Sequence, residues 1–306
     1  MILQFLNSIG DVVFSQIIRK WVAGSTRRDI IEYTQRKNMR NVKTLINYLG
    51  EHHKDEKMVT RTVDEYGKII NEISNRNLNA TISIKLSQLG FDVKNGKIFC
   101  KKNVEQVIST AHKNKVFTWI DTESLRFVDF TFSFYKELLT KYNCGLTLQA
   151  NFKRTMGDLK QLIELSKENN VYIRLVKGIY DEPAEYTYQD FNQIEKVYLD
   201  LISTAFKESS NNFGIAIASH SKKVIEEALR YYEQYPKDLF EMQFLKGVRT
   251  KYAEELIKKG VPLAEYVPYG EKAFAYTIRR ARKNPKLKNS LLYQGWFILY
   301  DILYPD

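Results

Sequence analysis

TISIKL, residues 81–86, alternates in side-chain character: Ile82, Ile84 and Leu86 share one face of an extended chain, and Thr81, Ser83 and Lys85 share the other. The pattern recurs. In GLTLQA (145–150), Leu146 and Leu148 oppose Thr147 and Gln149, and in VYIRLVK (171–177), Ile173 and Leu175 oppose Arg174. In FGIAIAS (213–219), Ile215 and Ile217 oppose Ala216, Ala218 and, just beyond, His220. Four more β-rich runs, VKTLINYL (42–49), VFTWID (116–121), LFEMQFL (239–245) and LAEYVP (263–268), bring the number to eight. Helix-period spacers lie between them, among them VEQVISTAHK, MGDLKQLIELSKE and KKVIEEALRYYEQY. Strand and helix alternating eight times predict an α/β protein built as a (β/α)8 barrel. Its aliphatic parity packs under the helices and the other parity points inward.

The inward set then ends in Lys85, Gln149, Arg174 and His220, with Asp121 and Gln243 at matching late positions on their strands. Late on a barrel strand means the carboxyl-terminal face, where barrel enzymes keep their active sites. Lys, Asp and Arg buried together cost several kcal/mol unless paired. Two readings stay open at this point, a structural ion network or a ligand site at the barrel mouth.

Composition narrows the function classes. The 306 residues suit one barrel with additions, and 44% hydrophobic content is enough for a large core. The net charge of +11 is spread among acidic residues except for a cluster from Arg279 to Lys288, which disfavours a nucleic-acid scaffold. Two cysteines, Cys100 and Cys144, have no metal-ligand spacing, so a reducing compartment and no metal are expected. The first residues, MILQFLNSIGDVVFSQIIRKWV, read as an amphipathic helix rather than a leader, and no apolar run reaches the ~20 residues of a membrane span. The expected organisation is an N-terminal helical segment (1–40), the barrel (41–290) and a C-terminal apolar helix (291–306).

The run EYVPYGEKAFAYTIRR (265–280) ends in two adjacent arginines. Helical neighbours diverge by about 100°, so Arg279 and Arg280 either lie on a solvated face or belong to a helix across the mouth, where both reach one anion.

In their order along the chain these motifs resemble the proline dehydrogenase family, from about Leu45 to Asn284. INYLGE is similar to that family's LGE strand, SIKLSQLG to its KLS strand, WIDTES to D-x-E, and LQANFKRT to a QAY-type strand. YIRLVKGIYDEP is similar to RLVKGAY, SHS to a THN or THD triplet, FEMQFLKGVR to FEFQ-L-GM/V, and EYVPYGEKAFAYTIRR to YVPYG…RR. The resemblance implies a distorted (β/α)8 TIM barrel with N-terminal helices and a final helix over the mouth. It also implies the FAD-dependent oxidation of L-proline to Δ1-pyrroline-5-carboxylate, the first step of proline degradation to glutamate.

Residue roles are likewise implied by the resemblance. By it, Arg279 and Arg280 bind the proline carboxylate, Tyr266 closes over the ring, and Lys85 lines the pocket. Asp121 pairs with Lys85 or the substrate amine, and Asp121 and Arg174 are the catalytic pair. The implied cofactor contacts are Thr122, Gln149, Arg174, Lys177, Gly178, Ile179, Ser219, His220 and Gln243. No G-x-G-x-x-G follows a strand, so the barrel itself must hold the FAD. Ser219 and Ser221 flank His220 in place of Thr and Asn/Asp, and Asn151 replaces the aromatic after QA. Implied partners are L-proline, a quinone or other electron acceptor, and pyrroline-5-carboxylate dehydrogenase, with no nucleic acid. SLLYQGWFILYDILY (290–304) either docks on the fold or makes a peripheral membrane or partner contact. The expected location is cytoplasmic, with that contact on the inner face of the membrane. The competing enzyme reading is a Schiff-base barrel, a lyase or aldolase with Lys85 or Lys177 as the amine nucleophile.

Overall fold

Strand parity closes the barrel as expected. The computed structural model describes residues 19–236, 239–273, 276 and 277. Eight strands, β1 (Lys43–Tyr48), β2 (Ala80–Lys85), β3 (Thr118–Asp121), β4 (Cys144–Gln149), β5 (Val171–Val176), β6 (Phe213–Ala218), β7 (Phe240–Leu245) and β8 (Leu263–Tyr269), pair in sequence order and all in parallel. β8 returns to β1. Their limits fall within two residues of the sequence reading. Helix α1 (Arg27–Asn38) precedes β1, and α2 (Glu56–Asn75), α3 (Gly96–Lys113), α4 (Leu125–Leu138), α5 (Thr155–Leu165), α6 (Phe191–Glu208), α7 (Lys222–Gln234) and α8 (Thr250–Lys258) follow β1 to β7 in turn.

The outward residues Ile82, Ile84, Leu146, Leu148, Ile173, Leu175, Ile215 and Ile217 are buried with the helix faces in one core. Each such side chain stabilises the fold by roughly 1.5–3 kcal/mol. Inside the barrel a separate apolar cluster forms its floor, where Leu45, Trp119 and Ala216 meet Phe117, Tyr172 and Tyr266. Phe117 packs edge-on against Trp119 and Tyr172, with ring centroids 5.1 and 5.0 Å away. Gly145 is the reason the indole fits, because a Cβ there would lie 2.4 Å from the ring.

The helix between β8 and β1 on the outer face is not one that follows β8. α1 takes that slot, started by a reciprocal capping box between Thr26 and Asp29. It is held to β8 by Tyr33, whose hydroxyl donates to Glu265 at 2.8 Å, and by Lys37, which pairs with Glu265 at 3.0 Å. The expected final helix over the mouth, with Arg279 and Arg280, and the apolar segment 291–306 lie outside the described residues, as does the N-terminal segment before residue 19. No described helix is long and apolar enough to cross a membrane. Both cysteines are buried free thiols, and burial pushes them upward in pKa, Cys144 to about 12, so neither is reactive.

Candidate active site

Register brings the charged inward residues together. Lys85 is the direct neighbour of Asp121 on β2 and β3, Thr147 of Arg174 on β4 and β5, and Leu245 of Tyr266 on β7 and β8. All stand at or near the carboxyl-terminal ends of their strands.

Asp121 is the hub. One carboxylate oxygen accepts from the Arg174 guanidinium and from Ser83 Oγ at 2.9 Å. The other accepts from Lys85 Nζ and from the Tyr266 hydroxyl at 3.0 Å. Burial alone would push this carboxyl up, but the Lys85 and Arg174 charges outweigh it and hold it at about 2. Burial likewise works against the Lys85 charge, and Asp121 more than offsets it, leaving the ammonium well above its ordinary pKa. Burial raises the Tyr266 phenol, which therefore stays protonated and donates. Lys85 also reaches the Tyr266 oxygen at 3.3 Å.

Arg174 is anchored more widely. Its guanidinium donates to Thr147 Oγ1 at 3.0 and 2.6 Å, to Ser83 Oγ at 3.2 Å and to Gln243 Oε1 at 3.4 Å. It lies 5.3 Å from the Trp119 ring centroid and 5.7 Å from that of Tyr266. Gln243 passes the chain downward to Glu241, which Lys43 neutralises at 2.7 Å. A run of alternating charge thus rises from Lys43 and Glu241 through Gln243 to Arg174, Asp121 and Lys85.

The other expected cofactor residues divide into two groups. Gln149 is buried and its amide nitrogen donates to the backbone carbonyls of Thr122 and Glu123, while Thr122 Oγ1 donates to the Thr147 carbonyl. Lys177 and Ile179 are exposed at the rim beyond β5, with the Lys177 ammonium 4.5 Å from the Phe191 ring centroid. Gly178 between them is buried at φ +99°. Ser219 Oγ accepts from the Ser221 amide, and Ser221 caps α7. His220 departs from the inward set expected for it. Its Nε2 accepts the Leu245 amide at 3.1 Å, and its ring packs edge-on to Phe244, a residue of the outer core. Having left the strand two residues earlier, it no longer follows the strand's parity.

Sequence reasoning misses several participants. Ser83, Thr147 and Glu241 obey the inward parity and can be read from it. Glu123, two residues beyond Asp121 in WIDTES, is 1% exposed and held by Ser87 N at 2.9 Å and by Ser87 Oγ. Burial raises its pKa. Tyr180 is half-buried close to Lys85, and burial raises its phenol. The β5–α6 loop that carries it is latched by Glu182, which accepts the Leu125 amide at 2.8 Å.

Lys85 does not fit a Schiff-base nucleophile, which must be a free amine near neutrality. Lys177 is exposed and outside the charged cluster. Among the described residues no group of His, Cys, Asp and Glu could hold a metal ion. A flavin nucleotide fits better. A buried cation, Arg174, lies at the carboxyl-terminal end of the barrel, where it can stabilise a reduced flavin, and Gly178 carries a positive φ that leaves room for the Asn151 carboxamide. Asn151 Oδ1, directly against Gly178, is buried without a hydrogen-bond partner among the described residues.

The family model described as Proline dehydrogenase matches residues 30–291. Proline dehydrogenase 1 of Bacillus subtilis (strain 168) is 30% identical over 270 residues, covering 87% of this chain and 86% of its own. Proline dehydrogenase 2 of the same strain is 28% identical over 285 residues, covering 92% and 91%. Among solved structures, proline utilization A (PutA) from Bdellovibrio bacteriovorus, inactivated by N-propargylglycine, superposes with a TM-score of 0.80 at 20% identity over 87% of this chain. PutA from Corynebacterium freiburgense gives 0.76 at 16% identity over 90%. The present chain spans about a third of each PutA chain, 32% in both cases, and at these identities the likeness is one of fold.

Proposed function

The chain belongs to the proline dehydrogenase family, and on that premise we propose that it oxidises L-proline to Δ1-pyrroline-5-carboxylate with FAD as cofactor. The observation that carries the reading is the Lys85–Asp121–Arg174–Tyr266 cluster at the carboxyl-terminal face of the barrel. It is fully paired yet oriented to the mouth, where a substrate meets fixed charge rather than water.

Bound FAD supplies the two-electron acceptor, with a quinone or another oxidant reoxidising it. The chain's own residues do the rest. Both oxygens of Asp121 are engaged by Arg174, Ser83, Lys85 and Tyr266, so its part is to hold these groups rather than to bind the amine. Lys85, kept charged, disfavours a protonated substrate amine beside it and so favours the neutral form from which hydride can leave. The ring carbon would give up hydride to the acceptor and the nitrogen its proton to solvent, which leaves the C=N bond of the product. Arg174 places positive charge where a reduced flavin is negative. Tyr266 forms the wall next to Lys85, and Arg279 and Arg280 are assigned to the carboxylate by family pattern. The imine product opens with water to an amino-aldehyde, which calls for an aldehyde-oxidising successor, pyrroline-5-carboxylate dehydrogenase.

A visible absorption spectrum, taken before and after anaerobic addition of L-proline, tests the reading. Flavin bands that bleach with proline are expected. A protein that remains colourless after incubation with FAD would overturn it.

A further inference from the structure

The β4–α5 and β5–α6 loops are knitted into one layer above the barrel. Ala150 N donates to Val176 O at 2.8 Å, Asn151 N to Lys177 O at 3.0 Å, Lys153 N to Tyr186 O at 2.9 Å and Tyr188 N to Asn151 O at 2.8 Å. The backbone of Asn151 is therefore fully used, yet its side chain is not. Oδ1 has no hydrogen-bond partner among the described residues, and the residue is only 5% exposed. Leaving a buried acceptor unpaired costs the desolvation of that group, so such atoms mark places where a partner is absent.

Where the atom sits says what that partner is. A Cβ on Gly178 would lie 1.9 Å from Asn151 Oδ1, so the carboxamide occupies the space a side chain at 178 would need. With φ at +99°, Gly178 holds that arrangement without the strain another residue would carry. The orphaned acceptor thus lies against the backbone position assigned to the cofactor, two residues beyond Gln149. A carboxamide oxygen can only accept, and a flavin nucleotide offers ribityl hydroxyls and one ring imide N–H as donors.

We propose that Asn151 is a cofactor contact, its Oδ1 accepting a hydrogen bond from the ribityl chain or the ring imide of the bound flavin. The inference rests on the FAD reading above. It concerns a position where this chain departs from the aromatic of the QA-aromatic pattern.

The test titrates FAD into apoprotein and follows quenching of flavin fluorescence for the unaltered chain, Asn151→Leu and Asn151→Asp, with melting temperatures of each apoprotein. Asn151→Leu is expected to weaken FAD binding about tenfold, and its apoprotein should melt no lower than the parent, since an unpaired buried acceptor has been removed. Asn151→Asp keeps an acceptor and should bind within about threefold of the parent. Repeating the titration with FAD methylated at the ring imide separates the donors. A parent-to-Leu ratio that persists assigns the ribityl hydroxyls, and one that falls to unity assigns the imide. Equal FAD affinity in the parent and Asn151→Leu would overturn the proposal while leaving the flavin reading intact. So would an Asn151→Leu apoprotein that melts lower, with Asn151→Asp losing affinity equally, because that pattern marks a packing role. A parent that binds no FAD would remove both readings together.

Discussion

The floor and the mouth of this barrel are built from the same inward parity of the same strands, yet they hold together by opposite means. At the floor, Leu45, Trp119 and Ala216 exclude water by apolar packing, and little depends on orientation beyond shape. Ser83 beside Trp119, Arg174 beside Ala216, Thr147, and Lys85 with Asp121 at the strand ends fill the same cylinder with charge and hydroxyls. Here each member depends on its partners, because a lone buried ion is far more costly than a paired one. Trp119 and Tyr266 join the two layers by facing the Arg174 guanidinium. A packed floor fixes the height at which the charged layer sits, and the charged layer supplies the chemistry.

The contrast between Asp121 and Glu123 repeats this lesson over two residues. Burial acts upward on both carboxyls, but Lys85 and Arg174 reverse it for Asp121, while the Ser87 hydrogen bonds and the influence of Lys85 do not overcome it for Glu123. Contact with cations, not depth, separates them.

The comparison can be broken most severely at the hub. Asp121→Ala leaves Lys85 and Arg174 as adjacent uncompensated cations, and urea unfolding should show a loss of about 3–5 kcal/mol. The rate of flavin reduction by proline should fall about a hundredfold or more. At the floor, Trp119→Ala should cost a similar amount, about 3–5 kcal/mol, through the cavity it leaves, but the rate in the folded fraction should change less than about tenfold, since the charged layer keeps every hydrogen bond and loses only the Arg174–Trp119 ring contact. A floor variant that loses activity as completely as Asp121→Ala would show that the two layers are not separable. Tyr266→Phe removes the hydrogen bonds to Asp121 and Lys85 and keeps the ring, so stability should drop by about 1 kcal/mol and the reduction rate by a few-fold to about tenfold.

The smallest effect has the opposite sign. With its pKa raised on folding, Glu123 binds a proton more tightly in the native state, so its contribution falls as pH rises through the folded value. Glu123→Gln removes that loss and should stabilise the protein by about 1 kcal/mol at a pH of about 8. The gain should fade as pH drops toward the unfolded carboxyl value near ~4.3, which melting curves across that range would show. Asp121 runs the other way. Its contribution is present above an unfolded value of about 3.9 and is lost as pH falls toward about 2. A destabilised Glu123→Gln would mean that this carboxylate, too, has a partner cation.

Much of this is legible in sequence because parity is a local, period-two property. TISIKL, GLTLQA and VYIRLVK each announce an aliphatic and a polar face, and the structure sets those faces outward and inward. Ser83 and Thr147 lie in plain view on the polar face. His220 escapes the pattern because it stands past the strand end, where alternation no longer controls direction.

Sequence by itself determined eight strands, their facing and the presence of buried charge, since a strand's two faces are set by its own backbone pleat. Only tertiary structure decided which charges meet, for register sets Lys85 beside Asp121, while Arg174 and Tyr266, on strands that do not pair with β3, reach Asp121 across the closed barrel. It also decided that α1 fills the flank between β8 and β1, and that Asp121 and Glu123 part ways in ionisation. Alternation is written in neighbours, whereas pairing and electrostatics depend on distances that exist only once the barrel has closed.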